Sequence, residues 1–159
     1  WKGVDTLVNS IEFLNQQTSL YIVGGSLHDV EQLKKEFPHA RDQRIHFVEF
    51  RPHDEIALWL KAADVLILPN TGRQKVSMYY TSPMKLFEYM ASGTPIVASA
   101  LPSILEILNN TNAVTVSPDD PKALAQGIEK LLGDKDFADS LAKQATNDVS
   151  SYTWHNRAR

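Results

Sequence analysis

The chain predicts a doubly wound α/β domain, a parallel sheet covered by helices on both faces. Three observations lead there. Apolar runs suited to buried strands (Leu20-Tyr21-Ile22-Val23, Asp64-Val65-Leu66-Ile67-Leu68, Ile96-Val97-Ala98) alternate with segments of helical periodicity. Gly24-Gly25, Pro38, Pro69 and Gly93 fall at the joints between them. A length of 159 residues with 43% hydrophobic content suits one domain, 1–159, burying roughly 70% of its unfolded surface.

The elements follow in order. Val4, Leu7, Val8, Ile11 and Leu14 recur on one helix face. After the strand at Leu20, Gly24-Gly25-Ser26 reads as a tight turn, and a helix over about 28–37 opens with Ser26 and Asp29 at capping-box spacing. Residues 44–48 form the next strand, and Arg51-Pro52-His53-Asp54-Glu55 opens a short helix to about 61. The strand at Asp64 ends at Pro69-Asn70. The polar loop 71–81, with Arg73 and Lys75, reads as mobile and long enough to have a task. Leu101-Pro102-Ser103-Ile104-Leu105-Glu106 reads as another capping box, residues 113–116 as a strand, and Asp120-Pro121 as cap and first residue of a helix. Helices over 121–132 and about 135–146 complete the pattern, and Tyr152-Thr153-Trp154 begins one more.

Composition excludes several functions. A formal net charge of −3 gives no nucleic-acid footprint. No apolar run approaches the ~20 residues of a membrane span, and no secretory signal is visible. Zero cysteines exclude disulfides, thiolate catalysis and zinc–thiolate sites. The five histidines are scattered without ligand spacing, so no metal is expected. These features fit a cytoplasmic enzyme.

The stretch Tyr80-Thr81-Ser82-Pro83-Met84-Lys85-Leu86-Phe87-Glu88-Tyr89-Met90-Ala91-Ser92-Gly93-Thr94-Pro95 organises the rest. Ser82 suits a helix cap and Pro83 the first helical position. The following N–H groups, at Met84 and Lys85, would face outward at the positive end of the helix dipole, an anion site to which Lys85 adds a charge. Met84, Phe87 and Ala91 make the helix apolar on most sides and predict its burial. Glu88 there is either an i,i+3 partner of Lys85 or a carboxylate held at a cleft for ligand hydroxyls.

This stretch resembles the signature of the retaining glycosyltransferases of family 4, which have the GT-B fold, and is nearest the branch written S-P-x-K-L-F-E-Y-M-A-x-G-x-P. The resemblance covers nearly the whole chain. It implies the Rossmann-like C-terminal half of a two-domain, metal-independent enzyme that binds a nucleotide-diphosphate sugar and needs no cofactor. Glu88 matches the family residue that holds the ribose hydroxyls, and Lys2, in the pair Lys2-Gly3, matches its phosphate-binding lysine. Lys2 and Glu88 are thus the residues on which transfer would depend. Phe50 and Arg51 fall in the base-binding loop, Gly24 and Gly25 where the backbone nears the nucleotide, and Ser82, Met84 and Lys85 at the phosphates. The family's first acidic position falls on Tyr80, so the contact it makes with the donor sugar is altered here.

On the residues alone, Lys2 also reads as a solvated lysine, Phe50 as core packing and Gly24-Gly25 as a plain turn. By the same resemblance, the first strand of the domain and a phosphate-binding arginine would lie ahead of Trp1, and an N-terminal acceptor domain beyond them. That missing half is the expected partner, and peripheral membrane association, if any, would come through it. A gap is therefore expected between the strands at Leu20 and Asp64. The alternatives are an epimerase of GT-B shape and a non-catalytic nucleotide-binding or interaction domain, favoured by Tyr80. A glycosidase built on Glu88 and Glu106 is disfavoured because a capping box would occupy Glu106.

Overall fold

A computed structural model describes residues 2–80 and 84–152. The prospective cap Ser82, with Pro83, and the prospective helix at Thr153-Trp154 lie outside the described residues. The element order is α1 (Val4–Ser10), β1 (Leu20–Val23), α2 (Leu27–Glu36), β2 (Ile45–Val48), α3 (His53–Ala62), β3 (Leu66–Leu68), α4 (Met84–Ser92), β4 (Ile96–Ser99), α5 (Pro102–Leu105), β5 (Val114–Val116), α6 (Pro121–Gly133) and α7 (Lys135–Val149).

Every strand pairing is parallel, as the alternation of strand and helix requires. β1 pairs with β2, and β3, β4 and β5 pair in that order. No ladder among the described residues joins β1 to β3, which leaves the expected gap between the two sheets.

β4 is the most buried strand, and its alternation divides the core. Val97 faces Leu7, Val8 and Ile11 of the first helical segment together with Leu124 and Ile128 of α6. Ile96 and Ala98 face Leu86 and Met90 of α4, Ile104 of α5 and Ala145 of α7. Helices therefore cover both faces, and the loops at the carboxyl ends of the strands share one rim.

Several local readings change. The first helix tightens into a 3-10 turn at Ile11–Phe13. The loop after β3 is not structureless: it winds into a π-helical turn, Val76–Tyr80, with Ser77 buried and Met78 packed on the core. The capping box at Ser103 and Glu106 does not form. Pro102 takes the first helical position, so Leu101 is the cap residue and Ser103 lies inside the helix. The buried Ser103 hydroxyl donates instead to the Ser77 carbonyl at 3.1 Å and braces the π-turn. Glu106 is left exposed at the helix end. The boxes and caps at α2 and α6 do form: the Asp29 N–H donates to Ser26 Oγ, the Ser26 N–H donates to Asp29 Oδ2 at 2.8 Å, and the Ala123 N–H donates to Asp120 at 2.9 Å.

α4 is half-buried, not enclosed. Leu86 and Met90 are fully buried on one side, while Met84 is 60% exposed and Ala91 is exposed. The opposite face is thus open, and Glu88 stands between the two.

Candidate nucleotide site on the strand rim

The site begins at Lys2-Gly3. Gly3 has φ +67, and a Cβ on it would lie 1.7 Å from the Pro69 carbonyl oxygen. Only glycine can bring the chain this close to the end of β3. The contact seats Lys2 against the carboxyl end of a core strand. Next to it the buried Asn70 carboxamide has an Oδ1 without a hydrogen-bond partner among the described residues.

The segment after β3 is tied down by Asp119, which by sequence reads with Asp120 only as a helix cap. Asp119 adopts φ 57. Its carboxylate accepts from the Thr71 hydroxyl and from the Gly72 N–H at 2.9 Å, and lies 3.5 Å from Arg73 Nε. Arg73 also reaches Asp5 of α1 at 3.2 Å. One carboxylate therefore links the β5–α6 turn, the end of β3 and, through Arg73, the helix that carries Lys2-Gly3. Position 119 carried a signal in its Asp-Asp-Pro context, but the left-handed backbone that aims its side chain does not show in the sequence.

Lys2, Lys85 and Glu88 come within electrostatic reach of one another. Burial holds the Lys85 ammonium below its ordinary pKa of 10.5, the charge of Lys2 pushes it further down, and Glu88 pulls the other way. Among the described residues Lys85 has no ion pair, so of the two readings of Glu88 the close i,i+3 pairing with Lys85 is not made. Two ammonium groups repel across this part of the rim, near the first described residues of the nine-residue α4. An anion placed there would relieve the repulsion. The neighbouring Tyr89 phenol is pushed up to about 12 by burial and then by the Glu88 charge, so it stays protonated.

The other candidates meet further along the rim. A shallow cavity of about 230 Å³ is lined by Val23, Gly24, Phe50, Arg51, His53 and Ile56. Phe50 is 77% exposed, which removes the core-packing alternative: its ring belongs to the cavity wall. Gly24 has φ +110 with open space where a Cβ would point, and its N–H donates to Val48 at 2.8 Å. Backbone conformation, not crowding, demands glycine there. Gly25 lies beside it, exposed and outside the cavity lining. A second cavity, of about 250 Å³, runs between α3 and α4 past Ile56, Leu60, Glu88 and Ser92. The two cavities adjoin at His53 and Ile56, which line both and stand between the loop at Phe50 and Glu88.

The structure thus brings Gly24, Phe50 and Arg51 together in the first cavity and places Glu88 in the second, whereas Lys85 and Lys2 line neither and are linked to Glu88 only through their charges. Met84 sits exposed at the start of α4. Among the described residues no group of three His, Asp or Glu side chains is placed to hold a metal ion. No helix among them is long and apolar enough to cross a membrane.

The fold recurs in known proteins. The protein MJ1607 of Methanocaldococcus jannaschii, described as an uncharacterized glycosyltransferase, is 27% identical over 163 residues, which cover 99% of this chain and 40% of the relative. Among solved structures, Alr3699/HepE of Anabaena in complex with UDP superposes with a TM-score of 0.81 at 22% identity, covering 95% of this chain and 41% of the other. The C-terminal domain of the group 1 glycosyl transferase LpcC from Francisella tularensis superposes at 0.75 and 21% identity, covering 96% and 80%. The fold is that of the C-terminal domain of GT-B glycosyltransferases. The chain spans about 40% of the length of the first of these relatives. The model for glycosyl transferases group 1 matches residues 1–134, and the chain belongs to that family.

Proposed function

We propose that the chain is the donor-binding domain of a retaining, metal-independent glycosyltransferase, of the S-P-x-K-L-F-E-Y-M-A branch, that uses a nucleotide-diphosphate sugar and no cofactor. The observation that carries the reading is a pair of adjoining cavities, one at Gly24, Phe50 and Arg51 and one reaching Glu88, with Lys85 coupled through its charge to both Glu88 and Lys2. A recess at Gly24, Phe50 and Arg51 suits a base, Glu88 suits the ribose hydroxyls, and Lys2, Lys85 and the start of α4 suit a diphosphate. UDP in the structurally similar Alr3699/HepE supports the same class of ligand.

In this reading Lys2 and Lys85 stabilise charge that develops on the departing diphosphate. Preorganised cations and helix N–H groups do so best where water is excluded. Glu88 accepts from hydroxyls and holds the nucleotide while the bond to the sugar breaks. Ser82 and Gly25 remain part of the proposed lining. The acceptor site belongs to an N-terminal domain, so residues 1–159 alone bind nucleotide weakly and transfer nothing. The enzyme works in the cytoplasm.

Titrating UDP, GDP and ADP into the protein while following backbone amide signals tests the reading. Shifts near Lys2, Lys85 and Glu88 with one of the three are expected, and no shifts with any of them would overturn it. A non-catalytic binding domain is the second reading, favoured by Tyr80, 80% exposed where the family signature has an acid. Glu88→Gln separates the two in the intact protein. Transferase activity should fall at least ~10-fold if Glu88 holds the ribose through a hydrogen bond to a charged group, whereas a pure binder has no activity to lose.

A further inference from the structure

We propose that the His53 imidazole contacts the ribose of the bound nucleotide, as a binding residue that no motif in the sequence marks. The inference rests on the nucleotide-sugar reading of the rim. His53 and Ile56 line both cavities, so they stand at the passage between the Phe50 recess and Glu88. They stand three apart on α3 and therefore on one face of it. Ile56 is apolar, which leaves His53 as the polar group at the passage.

The chemistry fits the middle of a nucleoside. A neutral imidazole offers one donor and one acceptor, which together can pair with a hydroxyl that both gives and takes a hydrogen bond. The base would lie towards Phe50 and Arg51, and the diphosphate towards Lys2 and Lys85. The ribose then falls between them, with Glu88 on the α4 side and His53 on the α3 side. His53 is exposed at the first position of its helix, so the fold makes no evident demand on its side chain.

The test uses the intact protein and calorimetric titration of UDP, GDP and ADP, with His53→Leu, His53→Gln and Glu88→Gln alongside the wild type. His53→Leu should weaken the preferred nucleotide about 10-fold, the scale of one hydrogen bond. His53→Gln, which keeps a donor and an acceptor, should stay within about threefold, and thermal midpoints of both should match the wild type. Undiminished affinity in His53→Leu, with Glu88→Gln still weakened, would overturn the role of His53 and leave the site reading standing. Wild-type protein that binds none of the three would overturn both.

Discussion

Lys85 is the residue whose charge the site most directly controls. Its ammonium form is disfavoured by burial and by Lys2, so its pKa lies below the ordinary 10.5 in the ligand-free protein. A diphosphate bound between the two lysines would favour the charged form and raise that value. Linkage then fixes the sign: affinity is full where Lys85 is protonated and falls as pH rises through its depressed value. Titration of UDP across the alkaline range should show this fall, and Lys85→Arg, which keeps its charge there, should flatten it. Gly3 makes a second prediction at this scale. Alanine there meets both a left-handed backbone and the Pro69 carbonyl, so Gly3→Ala should cost more than ~2 kcal/mol in chemical denaturation. The need for a small residue next to Lys2 was legible as a Lys-Gly pair, but its cause, contact with the end of β3, was not. Phe50 taught the opposite lesson: an aromatic residue just past a four-residue strand is compatible with either face, and only the packed structure shows it exposed.

At the scale of elements, the segment after β3 decides how firmly the site is held. Thr71, Gly72 and Arg73 hang on the Asp119 carboxylate, and α1 joins through the Arg73–Asp5 pair. Asn tolerates the same left-handed backbone, so Asp119→Asn isolates the charge. It should cost about 1–3 kcal/mol, the scale of hydrogen bonds to a charged group, and lower the thermal midpoint by several degrees. An unchanged midpoint would mean that the turn holds itself. The sequence showed this region as a polar loop because its two organising contacts are distant: Ser103 lies 26 residues from Ser77, and Asp119 lies 48 from Thr71. The same distance explains the failed capping box, since local spacing suited Ser103 to Glu106 while tertiary packing gave the hydroxyl a buried carbonyl. The boxes and caps at Ser26 and Asp120 were legible because every partner is local.

For the molecule as a whole, strand types and parallel pairing followed from periodicity, whereas the link between the β1–β2 sheet and the rest depends on side chains. Arg44, beside β2, donates to Asp42 at 2.8 Å and to the carbonyls of Ile11, Leu14 and Asn15 at 3.0, 3.3 and 3.2 Å, tying that sheet to the end of the first helical segment. Hydrogen bonds from the Arg44 side chain and backbone hold the Asp42 carboxyl at about 2, below its ordinary 3.8. A depressed carboxylate stabilises the fold fully above its unfolded value and loses that contribution as pH falls through the folded one. Thermal midpoints should therefore drop between pH 3.8 and about 2, and Asp42→Asn should remove this part of the slope. The position of the first cavity, at the carboxyl ends of β1 and β2, was legible from topology alone, while the passage at His53 was not, because the second cavity arises where α3 meets α4.

A crystal structure of the intact protein with UDP is the most direct measurement of the site. Diphosphate density between Lys2 and the start of α4, with the ribose at Glu88 and the base against Phe50, is the expected result. UDP bound elsewhere, or a diphosphate away from both lysines, would contradict the assignment of this rim as the donor site.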